Sequence, residues 1–327
     1  MKVCVVGAGA IGGFIGTRMA AYGGCQVSAL ARGATLAALR AHGWRLRQGD
    51  GLITAACTAS DQTQDLGVQD LVVIAVKGPA LSSVVMNLAP LLGPQTLVVP
   101  AMNGVPWWFG AGVPALQGLS LASVDPLGHV AAAIALPSVL GCVVHAAAFT
   151  PEPGLVQHRM GQGLIIGEPG GGSSARCTAL AELFTLSGFD TTVSTDVRKD
   201  IWYKLWGNLT INPIAAITGA TADRVLDDPL VRAFCSAAML EAAEVGRRIS
   251  CTIDQSPEDR HVVTRRLGSF RPSMEQDVAA GRPIELDAIV GVVVELARHL
   301  GVATPNIDAL LGMTRLFGRV HGLYPNG

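Results

Sequence analysis

Lys204, Asn208 and Asn212 follow one another at intervals of four residues. On an α-helix such residues share one face, so an ammonium group and two carboxamides would form a polar stripe. A solvated helix face is the alternative, but such faces favour Glu, Lys and Arg over asparagine, which is a poor helix former. We therefore interpret the stripe as one wall of an active site. Apolar residues offset from it by one position can pack into a core: Ile201, Leu205 and Leu209.

A glycine-rich hexapeptide, G-A-G-A-I-G, starts at Gly7, directly after a short β-branched run. Between a strand and a helix, G-x-G-x-x-G is typical of a loop that binds the pyrophosphate of a dinucleotide. Gly7 would permit the tight turn, Gly9 the approach of the backbone to the phosphates, and Gly12 the close packing of helix on strand. Ala10 and Ile11 would begin the helix, whose N-terminal N–H groups attract an anion. The alternative is a strand-to-helix turn without a ligand.

The kind of dinucleotide is indicated by the end of the second predicted strand, at residues 26–30. An NAD-binding chain carries Asp or Glu about 20 residues beyond the glycine motif, to bind the ribose 2′-hydroxyl. Here the strand is followed by Ala31 and Arg32, with no acid nearby. Arg32 would suit a 2′-phosphate, which favours NADP(H) over NAD or FAD. The alternative is that Arg32 is a solvated surface residue.

Two further polar residues follow predicted strands. Lys77 ends the apolar run 70–76, and Asn103 follows the run 96–99. Open α/β sheets bind ligands at the carboxyl ends of their strands. A lysine there is explained either by an anionic ligand or by a side chain that reaches solvent.

Strands at 2–6, 26–30, 70–76 and 96–99 alternate with predicted helices at 11–22, 34–41 and 80–92. This alternation predicts an α/β fold, a Rossmann-type doubly wound parallel sheet. Later segments predict an antiparallel extension of the same domain and one more helix: strands 139–148, 154–158, 163–167 and 191–193, and helix 175–186. Beyond residue 196 only helices are predicted: 201–211, 230–248, 257–267 and 285–300. We therefore expect a cofactor domain at 1–195 and an all-helical domain at 196–327.

The composition sets limits on function. The 327 residues exceed what one core usually organises, and 50% hydrophobic against 15% charged residues exclude a disordered chain. The 24 Lys and Arg residues are balanced by 25 Asp and Glu residues, so nucleic acid is not an expected partner. The expected partner is instead a small molecule.

The cysteines and the apolar segments bear on location. Seven scattered cysteines, with no C-x-x-C pair, predict free thiols in a reducing cytoplasm and no metal site. Residues 1–21 resemble a signal peptide, but glycines and Arg18 interrupt the apolar stretch. Residues 78–124 carry no charged side chain, yet six prolines leave no span of about 20 residues, so we expect a buried core and no membrane contact.

Taken in order, these motifs resemble those of the ketopantoate reductase (2-dehydropantoate 2-reductase) family over essentially the whole chain. The matching pieces are the glycine loop, Val76-Lys77, Asn103-Gly104, Pro153-Gly154, residues 166–169, Trp202 to Asn208 with Asn212-Pro213, Ser273-Met274 with Gln276-Asp277, and residues 284–287.

The resemblance implies NADPH-dependent reduction of ketopantoate to pantoate, on the route to pantothenate and coenzyme A, in a cleft between a Rossmann domain and a helical domain. It makes Lys204 the general acid and Glu285 its orienting partner. Asn208 and Asn212 would hold the substrate and Ser273 its carboxylate. At the cofactor end of the cleft the family places two more residues, here Lys77 and Asn103.

The chain also departs from the family pattern, with Glu275 where members commonly have Leu and with Phe270-Arg271-Pro272 before the serine. Arg271 or Glu275 either reshapes the substrate pocket or faces solvent. The alternatives to ketopantoate reduction are a related NADP-dependent reductase of another 2-oxo or β-hydroxy acid, and a protein that senses NADP(H) without turnover. The apolar helical half suits a homodimer.

Overall fold

The structure is a computed structural model that describes residues 1–326. These residues form two compact units. The first comprises Met1–Met102 and Gly128–Asp200, and the second comprises Asn103–Leu127 and the chain from Ile201 onward. The segment Asn103–Leu127 was expected in the first domain, but it groups with the helical residues.

Hydrogen bonds explain this grouping. The Val105 N–H donates to the Ala288 carbonyl at 2.9 Å. The Glu295 carboxylate accepts the N–H groups of Ala122, at 2.7 Å, and Ser123, at 2.9 Å. The uncharged apolar run 78–124 contains no pattern that predicts these hydrogen bonds to helices distant in sequence.

The first unit contains a five-stranded parallel sheet. Its strands are β1 (Lys2–Val6), β2 (Gln26–Leu30), β5 (Thr58–Ser60), β6 (Leu71–Ile74) and β7 (Leu97–Pro100). They lie in the order β5-β2-β1-β6-β7. Helices α1 (Ala10–Tyr22), α2 (Gly33–His42) and α3 (Gly78–Val85) follow β1, β2 and β6. This alternation confirms the predicted Rossmann-type sheet.

A second, mixed sheet lies in the same unit. Its strands are β3 (Trp44–Gln48), β4 (Gly51–Ala55), β8 (Gly141–Glu152), β9 (Leu155–Gly167) and β10 (Asp190–Ser194). The β8–β9 pair is antiparallel as expected, whereas β3 and β10 pair with β9 in parallel. The predicted strands 154–158 and 163–167 are one strand, which continues through Gly161 at φ +70° while the register against β8 shifts. The β3–β4 hairpin was missed, although W-R-L-R-Q-G-D-G alternates apolar and polar residues before a turn.

Helix α1 shares a core with both sheets. Phe14 of α1 is fully buried in one apolar cluster with Val5 of the parallel sheet and with Leu164 and Ile166 of the mixed sheet. Burial on both sides keeps the N-terminus of α1 fixed relative to β1. Helices α4 (His129–Ala133) and α5 (Ala175–Leu186) complete this unit, together with short 3₁₀ turns.

Every regular element in residues 201–326 is helical, as predicted. After α6 (Val197–Thr218) come α7 (Ala222–Asp227), α8 (Pro229–Arg248), α9 (Pro257–Arg265), α10 (Ser273–Ala279), α11 (Val292–Leu300) and α12 (Pro305–Val320). A π-helical turn, Asp287–Gly291, leads directly into α11. Within residues 1–326, no helix combines the length and the apolar character that a membrane span requires.

Helix α6 runs through Pro213, although the sequence predicted its end at residue 211. Proline offers no N–H to the carbonyl of Leu209, which normally ends or kinks a helix. Ile214 and Ala215, beyond the proline, are buried, at 8% and 0% exposure. Their burial offsets the lost hydrogen bond, because tertiary packing supplies most helix stability in proteins.

Candidate functional site

The glycine loop, Arg32 and Lys77 emerge from the same edge of the parallel sheet. Val6 at the end of β1 is in register with Leu30 of β2 and with Ile74 of β6. Since all these strands are parallel, the residues that follow them emerge together. The edge includes the position between β1 and β6 where the strand order reverses, which is where open α/β sheets bind ligands.

Gly7 and Gly12 are both required by the geometry of the loop. Gly7 has φ +93°, and a Cβ atom there would lie 2.7 Å from Val76 Cγ1. A Cβ atom on Gly12 would lie 2.0 Å from the Gly7 carbonyl oxygen and 3.0 Å from Ala75 Cβ. These two glycines therefore form the tight turn and the close contact of helix with strand.

Gly9 differs from them. A Cβ atom on Gly9 would meet no protein atom within 4 Å, and the residue is exposed. Gly9 caps α1 without a side-chain hydrogen bond, and the first turn, with Ala10 and Ile11, carries no acid. The N-terminal N–H groups and the positive end of the helix dipole thus adjoin open space. This arrangement fits a dinucleotide pyrophosphate.

Arg32 and Lys77 each precede a helix. Arg32 is the N-cap residue of α2, whose first turn contains no acid, and its side chain is exposed. Exposure leaves room for a 2′-phosphate and equally suits a surface arginine. Lys77 is the N-cap residue of α3 and is half-buried.

In the second unit, Lys204 and Asn103 are in direct contact. The Lys204 ammonium donates a hydrogen bond to Asn103 Oδ1 at 2.8 Å. The resemblance assigned one residue to proton donation and the other to the cofactor end of the site. The structure brings these two predicted site residues together.

The polar stripe on α6 has the predicted surroundings. Lys204 and Asn208 are half-buried, and Asn212 is 5% exposed. The adjoining apolar residues are buried, at 6% exposure or less: Ile201, Leu205 and Leu209. Trp206 anchors the helix from another face by donating its indole N–H to the Met239 carbonyl of α8 at 2.7 Å.

Glu285 is half-buried and lies two residues before the π turn. That turn packs against the Asn103-Gly104 corner: a Cβ atom on Gly104, at φ +85°, would lie 2.3 Å from the Ala288 carbonyl oxygen. Only glycine allows this approach, so the backbone next to Asn103 is fixed by the turn that follows Glu285.

Asp287, at the start of the π turn, accepts a hydrogen bond from the Tyr324 hydroxyl at 2.7 Å. Burial raises the pKa of Asp287, and the hydrogen bond from Tyr324 opposes that effect. Asp287 lies in the family-matching segment 284–287, but Tyr324 lies outside every motif, so the sequence did not predict this pair.

Ser273 begins α10 and is half-buried. Glu275, on the same helix, is 3% exposed and forms an ion pair with the exposed Arg271 at 2.8 Å. Its second carboxylate oxygen is buried without a hydrogen-bond partner. Of the two alternatives for Glu275, exposure to solvent is therefore wrong.

Comparison with known proteins gives, along nearly the whole chain, the same family that the motifs resemble. The family model "Ketopantoate reductase PanE/ApbA" matches residues 3–171, and "Ketopantoate reductase PanE/ApbA C terminal" matches residues 196–317. A 2-dehydropantoate 2-reductase of Mesorhizobium japonicum is 40% identical over 326 residues, 99% of this chain and 100% of the relative.

Solved structures extend the comparison. A crystal structure from Ralstonia solanacearum MolK2, assigned as a ketopantoate reductase, has 51% identity and a TM-score of 0.94, covering 98% of this chain and 99% of its own. D-mandelate dehydrogenase, solved with NADH and anilino(oxo)acetate, has a TM-score of 0.85 at 19% identity, covering 98% and 100%, and shares the fold alone. The resemblance inferred from the motifs is confirmed: the chain belongs to the ketopantoate reductase (2-dehydropantoate 2-reductase) family of nicotinamide-dependent oxidoreductases.

Proposed function

We propose that this protein reduces a 2-oxo acid, 2-dehydropantoate (ketopantoate), to the 2-hydroxy acid pantoate with NADPH. The observation that carries the proposal is the half-buried Lys204, oriented by Asn103 at 2.8 Å, on a helix that also bears Asn208 and Asn212. The family match over nearly the full chain supports it.

In this proposal Lys204 is the proton donor. Reduction of a carbonyl group develops negative charge on its oxygen, which a nearby ammonium group stabilises and protonates. Lysine suits the role because its pKa can fall toward neutrality in a buried site, whereas arginine stays charged. Glu285 orients Lys204, as the family resemblance implies.

The remaining polar residues hold the substrate. The carboxamides of Asn208 and Asn212 can donate and accept hydrogen bonds, so each can bind a carbonyl, a hydroxyl or a carboxylate group. Ser273 binds the substrate carboxylate. The four-residue spacing of Asn208 and Asn212 from Lys204 along α6 supports this role, because residues at this spacing share one face of a helix.

The cofactor is NADP(H), which supplies the hydride when bound. Gly7, Gly9, Ala10, Ile11 and Gly12 bind its pyrophosphate through backbone N–H groups. Arg32 binds the 2′-phosphate. The absence of any acid at the end of β2 supports NADPH over NADH. Lys77 and Asn103 adjoin the cofactor.

A second candidate function is reduction of a different 2-oxo acid, favoured by one observation. The Arg271–Glu275 ion pair places a buried carboxylate on the same short helix as Ser273. D-mandelate dehydrogenase has this fold and was solved with NADH and anilino(oxo)acetate. The ion pair would then alter the group that the site accepts beyond the 2-oxo acid moiety.

The test is to mix the purified protein with NADPH and ketopantoate and to follow the cofactor absorbance. A panel of other 2-oxo acids, including aromatic ones, is run in parallel. Consumption that is fastest with ketopantoate supports the proposal. If only another 2-oxo acid is turned over, ketopantoate is not the substrate, but the proposed type of reaction stands. If no 2-oxo acid is turned over, both the substrate and the reaction type are wrong.

Two lesser proposals accompany this function. The protein acts in the cytoplasm, which is supported by the number and spacing of its cysteines: seven, scattered and without a C-x-x-C pair. It forms a homodimer through its helical half, where apolar side chains of α12 such as Met313 and Leu316 are 53% and 65% exposed. Light scattering of the purified protein measures the oligomeric state.

A further inference from the structure

The segment after α12 is hydrogen-bonded on both sides of Glu285. The Ile284 N–H, one residue before Glu285, donates to the Leu323 carbonyl at 3.0 Å. The Tyr324 hydroxyl donates to Asp287 Oδ1, two residues after Glu285, at 2.7 Å. Two consecutive residues, Leu323 and Tyr324, therefore fix the backbone that carries Glu285.

This segment is itself held against α12. The Leu323 N–H donates to the Gly318 carbonyl at 2.7 Å. A Cβ atom on Gly318 would lie 2.7 Å from Tyr324 Cβ, so the tyrosine packs directly on the helix backbone. The Arg319 guanidinium donates to the Pro325 carbonyl at 3.0 Å. Tyr324 is thus a fixed point from which a hydrogen bond can hold Asp287.

The constraint continues from Asp287 to Lys204. Asp287 begins the π turn, in which the Ala288 carbonyl accepts the Val105 N–H at 2.9 Å. Val105 is two residues from Asn103, whose Oδ1 accepts the hydrogen bond from Lys204. A shift of the π turn would therefore displace both the acceptor of Lys204 and the backbone of Glu285.

We propose that Tyr324 is a positioning residue, which through Asp287 holds the π turn so that Glu285 and Asn103 keep Lys204 in its proton-donating position. The inference rests on the proposed function for the roles of Lys204 and Glu285. Tyr324 acts only through the elements it holds.

The chemistry of the pair suits a permanent restraint. Burial and the hydrogen bond to Asp287 raise the pKa of Tyr324 to about 12. The hydroxyl therefore remains a donor throughout the pH range in which enzymes work.

The first test compares Tyr324→Phe with Tyr203→Phe. The control also removes a tyrosine hydroxyl of the second unit, which donates to Gln255 at 2.8 Å in an exposed position. In Tyr324→Phe we expect kcat to fall roughly 10- to 100-fold, because small displacements of catalytic groups are costly. The KM for NADPH should not change, and Tyr203→Phe should resemble the wild type. An unchanged kcat in Tyr324→Phe overturns the inference.

Rescue by a conservative variant separates positioning from general stability. Asp287→Asn keeps an oxygen that can accept from Tyr324 and should retain most of the wild-type kcat. Asp287→Leu removes the acceptor and should match Tyr324→Phe, with no further loss in the double variant. If Asp287→Asn and Asp287→Leu lose kcat equally, the hydrogen bond is not the cause and the inference is wrong.

A measurement without turnover keeps this inference distinct from the proposed function. Amide hydrogen exchange at Val105 should be faster in Tyr324→Phe than in the wild type and unchanged in Tyr203→Phe. If the wild type reduces no 2-oxo acid, the proposed function is wrong. The exchange rate of the Val105 amide then still tests whether Tyr324 restrains the π turn. Equal protection of Val105 in wild type and Tyr324→Phe would then refute the restraint.

Discussion

The ammonium group of Lys204 donates a hydrogen bond to Asn103 Oδ1, over 2.8 Å and across 101 residues of sequence. A carboxamide oxygen is neutral, so this bond directs the ammonium group without itself neutralising the charge. A positive charge held in a fixed direction can stabilise the negative charge that develops on a carbonyl oxygen during reduction. The pair therefore links the fold of the second unit to the proposed chemistry.

Replacing Lys204 tests that chemistry directly. Lys204→Ala should lower kcat by about 10²- to 10⁴-fold, the usual contribution of general acid catalysis. NADPH affinity, measured by fluorescence titration, should remain close to wild type. Lys199→Ala is the matched control, since Lys199 lies on the same helix with a side chain 55% exposed and pairs with Asp196. Near-normal turnover in Lys204→Ala would remove the residue from its proposed role.

Two alanine substitutions in the glycine loop should have different effects, one on thermal stability and the other on NADPH binding. Gly12→Ala would place Cβ 2.0 Å from the Gly7 carbonyl oxygen and should lower the Tm, with a cost of at least about 1–3 kcal/mol from overpacking. Gly9→Ala meets no protein atom within 4 Å, at a φ of −79° that alanine accepts, and should leave the Tm unchanged. Because its methyl group would occupy the space proposed for pyrophosphate, Gly9→Ala should weaken NADPH binding in a titration. Unaltered NADPH affinity in Gly9→Ala would argue against the loop as the phosphate site.

Arg32 should determine the preference for NADPH. Arg32→Ala should lower the ratio of kcat/KM for NADPH to that for NADH, mainly through a higher KM for NADPH, because a 2′-phosphate would lose its guanidinium partner. The control is Arg40→Ala, on α2, the helix that Arg32 caps. The Arg40 guanidinium donates to the Ala59 carbonyl, and its removal should leave the ratio unchanged. An equal ratio in wild type and Arg32→Ala would assign the discrimination to another residue.

The parallel sheet and the polar stripe on α6 were predictable because both depend on local periodicity. A β-branched run that ends at glycine marks β1, a nearly continuous apolar run that ends at Lys77 marks β6, and a four-residue spacing marks the stripe. The helical second unit was predictable for the same reason. These features depend on patterns among residues that are close in sequence, and such patterns can be recognised in a single sequence.

The contacts that complete the candidate site were not predictable in this way. Gly104 against Ala288, and Tyr324 with Asp287, join residues far apart in sequence and have no characteristic spacing. Asn103 was placed in the first domain because it follows β7, whereas backbone hydrogen bonds bring its segment to the helices. The helix was predicted to end at residue 211, because the burial of Ile214 and Ala215 beyond Pro213 is not visible in the sequence.

A buried histidine should make the stability of the protein depend on pH. His261 is 1% exposed on α9 and contacts Ser236 Oγ through Nε2 at 2.9 Å. Burial lowers its pKa; the Glu258 carboxylate opposes this effect and the Arg232 guanidinium adds to it. The folded state therefore favours the neutral imidazole.

Because the pKa of His261 is lower in the folded state than in the unfolded state, the unfolded state binds the proton first as the pH falls. The free energy of unfolding should therefore decrease as the pH falls below about 6.5, the ordinary value for histidine, until the folded-state pKa is reached. Urea denaturation at a series of pH values from about 7.5 to about 5 measures this slope. His261→Gln should flatten it, whereas His42→Gln, at an exposed position of α2, should not. An identical slope in wild type and His261→Gln would show that other groups control acid stability.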